Sequence, residues 1–265
     1  MSAEIRSAIV TGAYGAIGKA ISEGIAQNGF SVTLVGRDKL QLEKARNEII
    51  ERTSNPAVFY EVVDLSLQGD IIAFSKRWKG SLHLLVNNAA TAPRKRTESV
   101  EGIEMQWATN VLGYFWMIRY FHPFMAGQPD ARIVNVASYW AGGMDLSDPE
   151  FKQRPYDNDV SYRQAKQANR MLTVAFAGRL KSTGISVNAC HPGDVNSKLS
   201  NAFGFGGSES PKQGAATPLF LSISGEVQGI TGKYYEHFNQ ITCPFVKDSS
   251  AVERLYNLCN GINKL

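Results

Sequence analysis

The sequence predicts an α/β fold, a single doubly wound parallel sheet of about seven strands with helices on both faces. Three observations carry that expectation. Short apolar runs at 5–10, 31–36, 57–63, 82–86, 131–137 and 185–190 alternate with helix-period segments near 17–28, 38–53, 66–78, 98–126, 159–182 and 211–223. Strands that alternate with helices pair in parallel and bury both sheet faces. A glycine-rich turn, Thr11-Gly12-Ala13-Tyr14-Gly15-Ala16-Ile17-Gly18, joins the first run to the first helix. Finally, 265 residues of which 43% are hydrophobic supply one sizeable core, so a single domain is expected over 1–265.

In chain order, Ile5 to Val10 reads as the first strand, and Ile17, Ile21 and Ile25 give the following helix one apolar stripe. The second strand ends in Val35-Gly36-Arg37-Asp38, where Asp38 has the chemistry of a helix N-cap. Asp64 closes the third run and is a second capping candidate. The fourth run leads into Asn87-Asn88-Ala89-Ala90. Tyr114 to Phe121, the most apolar later stretch, is interrupted by Arg119 and falls short of the ~18 residues of a membrane span, so it reads as a buried helix. The fifth run ends at Ser138 and the sixth at Pro192-Gly193, which by itself is only a turn signal. Ala141 to Asp159 and Asn201 to Pro211 are rich in turn residues and read as loops. Taken broadly as 139–161 and 196–211, they lie on the sheet edge where open α/β folds bind ligands. A last strand is expected at Gly232 to Glu236 and a terminal helix near 248–260.

The most informative side chains are Tyr162 and Lys166. Four residues apart on a helix, they share a face one turn apart. A free tyrosine titrates near ~10, and a fixed cation beside it lowers that value by roughly 1–3 units, which makes Tyr162 a candidate acid or base. The glycine turn is either an ordinary strand-to-helix connection or a place where backbone N–H groups and a helix N-terminus meet a pyrophosphate.

Composition removes several function classes. Three widely spaced cysteines offer neither a disulfide framework nor a zinc cluster, and the four histidines lack ligand spacing, so no metal is expected. A net charge of +4, with Lys and Arg scattered, argues against nucleic acid. The first run begins almost at Met1 and leaves no room for a cleavable signal. A cytoplasmic chain with no integral membrane segment is therefore expected.

The motifs TGAYGAIG, Asp64-Leu65, Asn87-Asn88-Ala89-Ala90, Asn110, Ser138, Tyr162/Lys166 and Pro192-Gly193 stand in the order of the short-chain dehydrogenase/reductase family. The resemblance covers nearly the whole chain and implies a Rossmann fold. It looks most like the retinol dehydrogenase and protochlorophyllide reductase-like branch, on the long segment between Ser138 and Tyr162 and the runs after His191, Pro211 and Gly232. Two residues depart from the pattern. Ala16 stands where the family has its middle glycine, with Gly15 shifted one place earlier, and Ala90 replaces the last glycine of the second motif. A methyl at 16 is tolerable with a negative φ, with Gly15 beside it free to take an unusual conformation.

The resemblance assigns Tyr162 as proton donor, Lys166 to the nicotinamide ribose, Ser138 to the carbonyl oxygen and Asn110 to a water connecting Lys166 with solvent. It places Gly12, Tyr14, Gly15, Ala16, Ile17 and Gly18 at the pyrophosphate, Asp64 and Leu65 beside adenine, and Asn88 and Ala89 along the adenosine. Pro192, Gly193, Val195 and Ser197 fall at the nicotinamide. Gly36 stands where an NAD-selecting acid would sit and Arg37 follows it, so NADP(H) is favoured over NAD(H), unless Arg37 merely opens a solvated helix. The implied activity is NADP(H)-dependent carbonyl reductase or alcohol dehydrogenase chemistry on a small lipophilic substrate. Trp140, Met144, Phe203 and Phe205 are candidates for an apolar pocket. Reduction of an activated C=C bond and a non-catalytic NADP(H)-binding sensor are the alternatives. The family habit of pairing through the helices at 111–126 and 159–182 implies a homodimer, against which the long loops stand.

Overall fold

The computed structural model describes residues 5–262. Its eight strands are β1 Ser7–Thr11, β2 Ser31–Gly36, β3 Val58–Val62, β4 Leu84–Asn87, β5 Arg132–Val136, β6 Ser186–His191, β7 Tyr234–Glu236 and β8 Asn239–Ile241. They form one sheet in the order β3-β2-β1-β4-β5-β6-β7-β8, parallel as far as β7. The eight α-helices are α1 Ala16–Gln27, α2 Lys39–Thr53, α3 Gln68–Arg77, α4 Gly113–Met125, α5 Asn158–Arg179, α6 Lys198–Ala202, α7 Pro211–Ile223 and α8 Ser249–Gly261.

Successive strand residues point to opposite faces, and here both faces are apolar. Ala8 and Val10 pack with α1, α2 and α7, while Ile9, Leu85, Ile133 and Val187 pack with α3, α4, α5 and α8. The central strands of the sheet are thus covered on both faces.

Three elements differ from the sequence expectation. The count of about seven strands becomes eight, because a two-residue turn after β7 returns β8 antiparallel along the sheet edge, with all three of its residues exposed. Such a strand has no apolar face for a pattern to reveal. The helix expected from 98 begins later. Glu98 and Glu104 bridge across a turn, and the buried Glu104 carboxylate accepts from the N–H groups of Gln106 (2.9 Å) and Trp107 (2.7 Å). A π-helical turn, Trp107–Leu112, then leads into α4. Within the loop expected at 196–211, Ser197 and Ser200 cap each other's backbone and start the short α6. The loop at 139–157 holds its shape through Asp148, whose carboxylate accepts from the N–H groups of Lys152, Gln153 and Arg154 at 2.7–3.2 Å.

α8 lies across the outer side of α4 and α5. Tyr256 packs against Phe115 (5.3 Å between ring centres) and Phe176 (5.4 Å), and Arg179 pairs with Glu253 through two hydrogen bonds of 3.0 and 2.6 Å. This is the surface through which a homodimer was expected, and α8 covers it more directly than the long loops do. The protein is expected to behave as a monomer in size-exclusion chromatography with light scattering; a dimer mass would require another interface.

Candidate active site

The turn after β1 is built from close backbone contacts. Gly12 has φ +64°, and a Cβ there would stand 2.7 Å from Ala89 Cα. A Cβ on Gly18 would stand 2.3 Å from the Gly12 carbonyl oxygen and 2.6 Å from Asn88 Nδ2. The Asn88 amide donates to the Thr11 carbonyl (2.9 Å), and the N–H groups of Asn88 and Ala89 donate to Thr11 Oγ1 (2.9 and 3.1 Å). Asn88 and Ala89 therefore brace the turn from β4. Gly15, though free to take an unusual conformation, has an ordinary φ of −71° as the N-cap of α1, and the left-handed residue of the turn is Gly12. Ala16 is the first helical residue, with negative φ, as its methyl requires.

Tyr14 covers Gly36. A Cβ on Gly36 would meet the Tyr14 ring at 2.5 Å, so no side chain fits there without displacing the ring. Arg37 follows at the end of β2, exposed and without a hydrogen bond or ion pair among the described residues. At the end of β3, Asp64 accepts from the Ser66 N–H (2.9 Å) and hydroxyl (2.7 Å) and so shapes the turn into α3, whose N-cap is Leu67. Leu65 is buried, its carbonyl against Gly113.

Ser138 and Tyr162 meet at one cavity of about 350 Å³, together with Ile17, Pro192, Gly193, Val195 and Ser197. Tyr162 is 9% exposed and shares the cavity lining with the Ser138 side chain. Lys166 lies beneath, fully buried, its Nζ donating to the Val136 carbonyl (2.9 Å) and standing 5.5 Å from the centre of the Tyr162 ring. Burial lowers Lys166 to about 7 and is also the main influence on Tyr162, which it raises, while the Ser138 side chain opposes it. In the protein by itself, then, burial sets the direction at Tyr162, and the expected lowering by the neighbouring cation is not among the influences on it.

Asn110 sits in the π-helical turn, a feature that recurs at functional sites. Its side chain accepts from the Thr91 N–H (2.8 Å) and donates to the Thr91 carbonyl (2.9 Å), pinning the chain after β4. Gly193 has φ +104° and is backed by the Glu209 carboxylate, and Ser197 Oγ caps α6 by accepting from the Ser200 N–H (3.1 Å). Gly12, Tyr14, Gly15, Ala16, Gly18, Arg37, Asp64, Leu65, Asn88, Ala89, Asn110 and Lys166 lie outside the cavity lining.

Of the aromatic candidates, Trp140, Phe203 and Phe205 line the cavity. Met144 does not; it packs at the margin of the main core. The sequence reading also missed Arg170, four residues beyond Lys166 on the same face of α5. Buried, it donates to the Ser138 carbonyl and to Tyr234 Oη (2.6 Å), which in turn donates to Glu236 (2.8 Å). Extending the four-residue stride from Tyr162 through Lys166 would have reached it.

Residues 6–204 match the short chain dehydrogenase family. The chain belongs to that family. This short-chain dehydrogenase is 34% identical to a "Probable oxidoreductase" of Streptomyces antibioticus, over 87% of this chain and 84% of that protein. It is 29% identical to mouse (Mus musculus) retinol dehydrogenase 13, over 95% of this chain and 81% of the relative, which places it with the retinol dehydrogenase-like branch. In fold it is similar to an uncharacterized protein from Mycobacterium Paratuberculosis, with a TM-score of 0.80, 24% identity and coverage of 96% of this chain and 92% of that one. Short-chain dehydrogenases are oxidoreductases that use a nicotinamide dinucleotide, and the turn suits one. Gly12, Gly15 and Gly18 keep side chains off a strand-to-helix turn whose N–H groups open the first turn of α1. Among the described residues, no helix is long and apolar enough to cross a membrane.

Proposed function

We propose that this short-chain dehydrogenase interconverts a carbonyl and an alcohol on a small lipophilic substrate with NADP(H), with Tyr162 as the acid/base. The observation that carries this reading is the buried Tyr162 phenol, which shares an aromatic-lined cavity with Ser138 and has Lys166 beneath it. When bound, the dinucleotide supplies or accepts the hydride at the substrate carbon.

In carbonyl reduction Tyr162 Oη gives its proton to the carbonyl oxygen as that oxygen becomes an alcohol. Ser138 donates a hydrogen bond to the same oxygen while charge gathers on it. Because burial raises Tyr162, the phenol carries its proton throughout the neutral range, as an acid must. The Lys166 ammonium binds the ribose hydroxyls and favours the phenolate left behind. In alcohol oxidation these roles reverse. Asn110 holds the adjoining chain, and a water held there connects Lys166 with solvent.

Pro192, Gly193, Val195 and Ser197 form the nicotinamide side of the site. Gly12, Tyr14, Gly15, Ala16, Ile17 and Gly18 receive the pyrophosphate, and Asp64, Leu65, Asn88 and Ala89 the adenosine. The choice of NADP(H) over NAD(H) rests on Tyr14 filling the space above Gly36, where an NAD-selecting acid would stand, and on Arg37 being free to meet a 2′-phosphate. Arg37→Ala is expected to weaken NADPH binding roughly tenfold and leave NADH nearly unchanged. Fluorescence titration of both dinucleotides checks this, and an equal loss for both would remove Arg37 from cofactor selection. Free Cys190, Cys243 and Cys259 suit a reducing compartment, in keeping with a cytoplasmic enzyme.

A pH dependence follows from Lys166. Its folded-state pKa lies below the ordinary lysine value, so the ammonium is present below about 7 and is lost as pH rises through it. The kcat/KM for NADPH, which reports the free enzyme, is expected to fall as pH rises through that region. A flat profile from pH 6 to 9 would separate Lys166 from cofactor capture.

The deciding experiment follows NADPH or NADH absorbance with a panel of lipophilic aldehydes, ketones and enones, and identifies the products. Alcohol formation with NADPH supports carbonyl chemistry. A saturated ketone from an enone would indicate C=C reduction, and cofactor binding without turnover, unchanged in Tyr162→Phe, a sensor.

A further inference from the structure

A buried cation stands behind the cavity with no part in the proposed proton transfer. Arg170 is 6% exposed and lies on α5, one turn beyond Lys166. A guanidinium cannot shed its charge, and removing it from water costs free energy that a carboxylate partner only partly returns. Its carboxylate here, Glu236, stands 3.8 Å away, and replacing such a pair by apolar side chains is often neutral for stability. What the guanidinium supplies instead is donors fixed in one plane. Nη2 donates to the Ser138 carbonyl and to Tyr234 Oη (2.6 Å), and Tyr234 Oη donates to Glu236 (2.8 Å). The plane is itself held, with its central carbon 3.6 Å from the centre of the Tyr234 ring and 5.5 Å from that of Phe245.

Ser138 lies where the sheet stops holding β5. The register between β5 and β6 ends with Val136 opposite Cys190, and the Ala137 N–H adds a bond to the Cys190 carbonyl (2.8 Å). Ser138 is one residue beyond, at the start of the loop, and its carbonyl is the atom that Arg170 takes. Its hydroxyl oxygen accepts from the Trp140 N–H (3.1 Å), which leaves the hydroxyl proton for another acceptor. At the far side β7 pairs with β6 from Tyr234 opposite Ala189 to Glu236 opposite His191. The turn after β7 sets His237 against His191, a cavity-lining residue, at 6.3 Å between ring centres. Arg170 thus fastens the loose end of β5, across β6, to β7.

We infer that Arg170 is a positioning residue for Ser138: by tying the Ser138 carbonyl to Tyr234 and Glu236 of β7, it fixes the serine hydroxyl in the cavity where the substrate oxygen is received. The catalytic value of this placement rests on the role proposed above for Ser138. A donor that meets developing charge works through geometry set in advance, so a serine released from its hold loses part of its effect while remaining present. The mark of positioning is therefore a loss that exists only while the serine is there.

The test is two double-mutant cycles on the full-length protein, using the wild type, Arg170→Met, Ser138→Ala and the double variant. Unfolding temperature and NADPH affinity are measured for each. The first cycle needs no substrate and reads hydrogen exchange at the Trp140 amide by NMR, since Ser138 Oγ accepts from that amide. Arg170→Met is expected to speed this exchange at least about tenfold, and to change it by less than about twofold in the Ser138→Ala background. The second cycle reads single-turnover NADPH oxidation with the aldehyde of the panel above that the wild type reduces fastest. Arg170→Met is expected to slow this step about 10–100-fold, with NADPH affinity within about threefold of wild type, and to add nothing in the Ser138→Ala background. Arg170→Lys, which keeps the charge and a donor, should recover part of both losses. Equal effects of Arg170→Met in the two backgrounds, in either cycle, or wild-type exchange at Trp140 would overturn the inference and leave Arg170 a packing residue. Tyr234→Phe removes one hydroxyl from the same chain of bonds and provides the comparison if Arg170→Met does not fold. If the wild type reduces no aldehyde of the panel, the proposed reaction fails and the amide cycle alone decides the inference.

Discussion

Tyr162→Phe is expected to lower NADPH-dependent carbonyl reduction by about 10²–10⁴-fold while changing NADPH affinity by less than about threefold. The substitution removes one oxygen and little else. The phenyl ring keeps its packing against Trp140 (5.9 Å) and Phe203 (5.0 Å), so the cavity wall is retained. What is lost is the buried phenol that shares the cavity with Ser138, and with it the proton that the carbonyl oxygen would receive. Ser138 still offers a hydrogen bond but is a far weaker acid under the same burial, so residual turnover draws on water. Stopped-flow single turnovers with NADPH in excess, alongside a fluorescence titration of the cofactor, separate chemistry from binding. A loss of less than tenfold in the chemical step would take the proton-donor role away from Tyr162.

What the sequence made legible follows the range of the interactions involved. β1, the turn and α1 are local, and their pattern of Ile, Gly and Ile was sufficient to place them. Tyr162 and Lys166 were legible because one helix carries both. Their electrostatics were not, since the effect of burial depends on α4, β5 and β6 closing around them: Tyr114 and Cys190 share their surroundings only in the folded chain. The start of the helix after β4 was misjudged because Glu104, a good helix former, is instead buried as a cap. β8 was missed because it has no buried face, and the cover on α4 and α5 was assigned to loops because the position of α8 depends on long-range packing at Tyr256. His191 and Arg170 escaped notice for a related reason. A lone histidine at a strand end and an arginine on a helix acquire meaning only when β7 and the turn after it bring Tyr234, Glu236 and His237 beside them.

Gly18→Ala is expected to damage both the fold of the turn and cofactor binding. Its Cβ would stand 2.3 Å from the Gly12 carbonyl oxygen and 2.6 Å from Asn88 Nδ2, and the first of these is backbone that cannot rotate away. Relief requires α1 to move off the turn, or Gly12 to shift and take Asn88 from its bond with the Thr11 carbonyl (2.9 Å). Either route opens the contact between β1 and β4 on which the turn depends. Overpacking of this kind costs roughly 1–3 kcal/mol, which for a chain of this size lowers Tm by several degrees, about 3–10 °C. The cofactor should be affected more than stability, because the N–H groups that would meet the pyrophosphate belong to the displaced segment, and NADPH affinity should fall by at least about tenfold. Gly15→Ala is the control. Its φ is −71°, and its nearest contact would be 3.2 Å from the Gly12 oxygen, so the methyl fits with a small adjustment and both quantities should stay near wild type. If Gly18→Ala lost stability yet bound NADPH normally, the turn would be a packing element and the dinucleotide cradle would have to lie elsewhere.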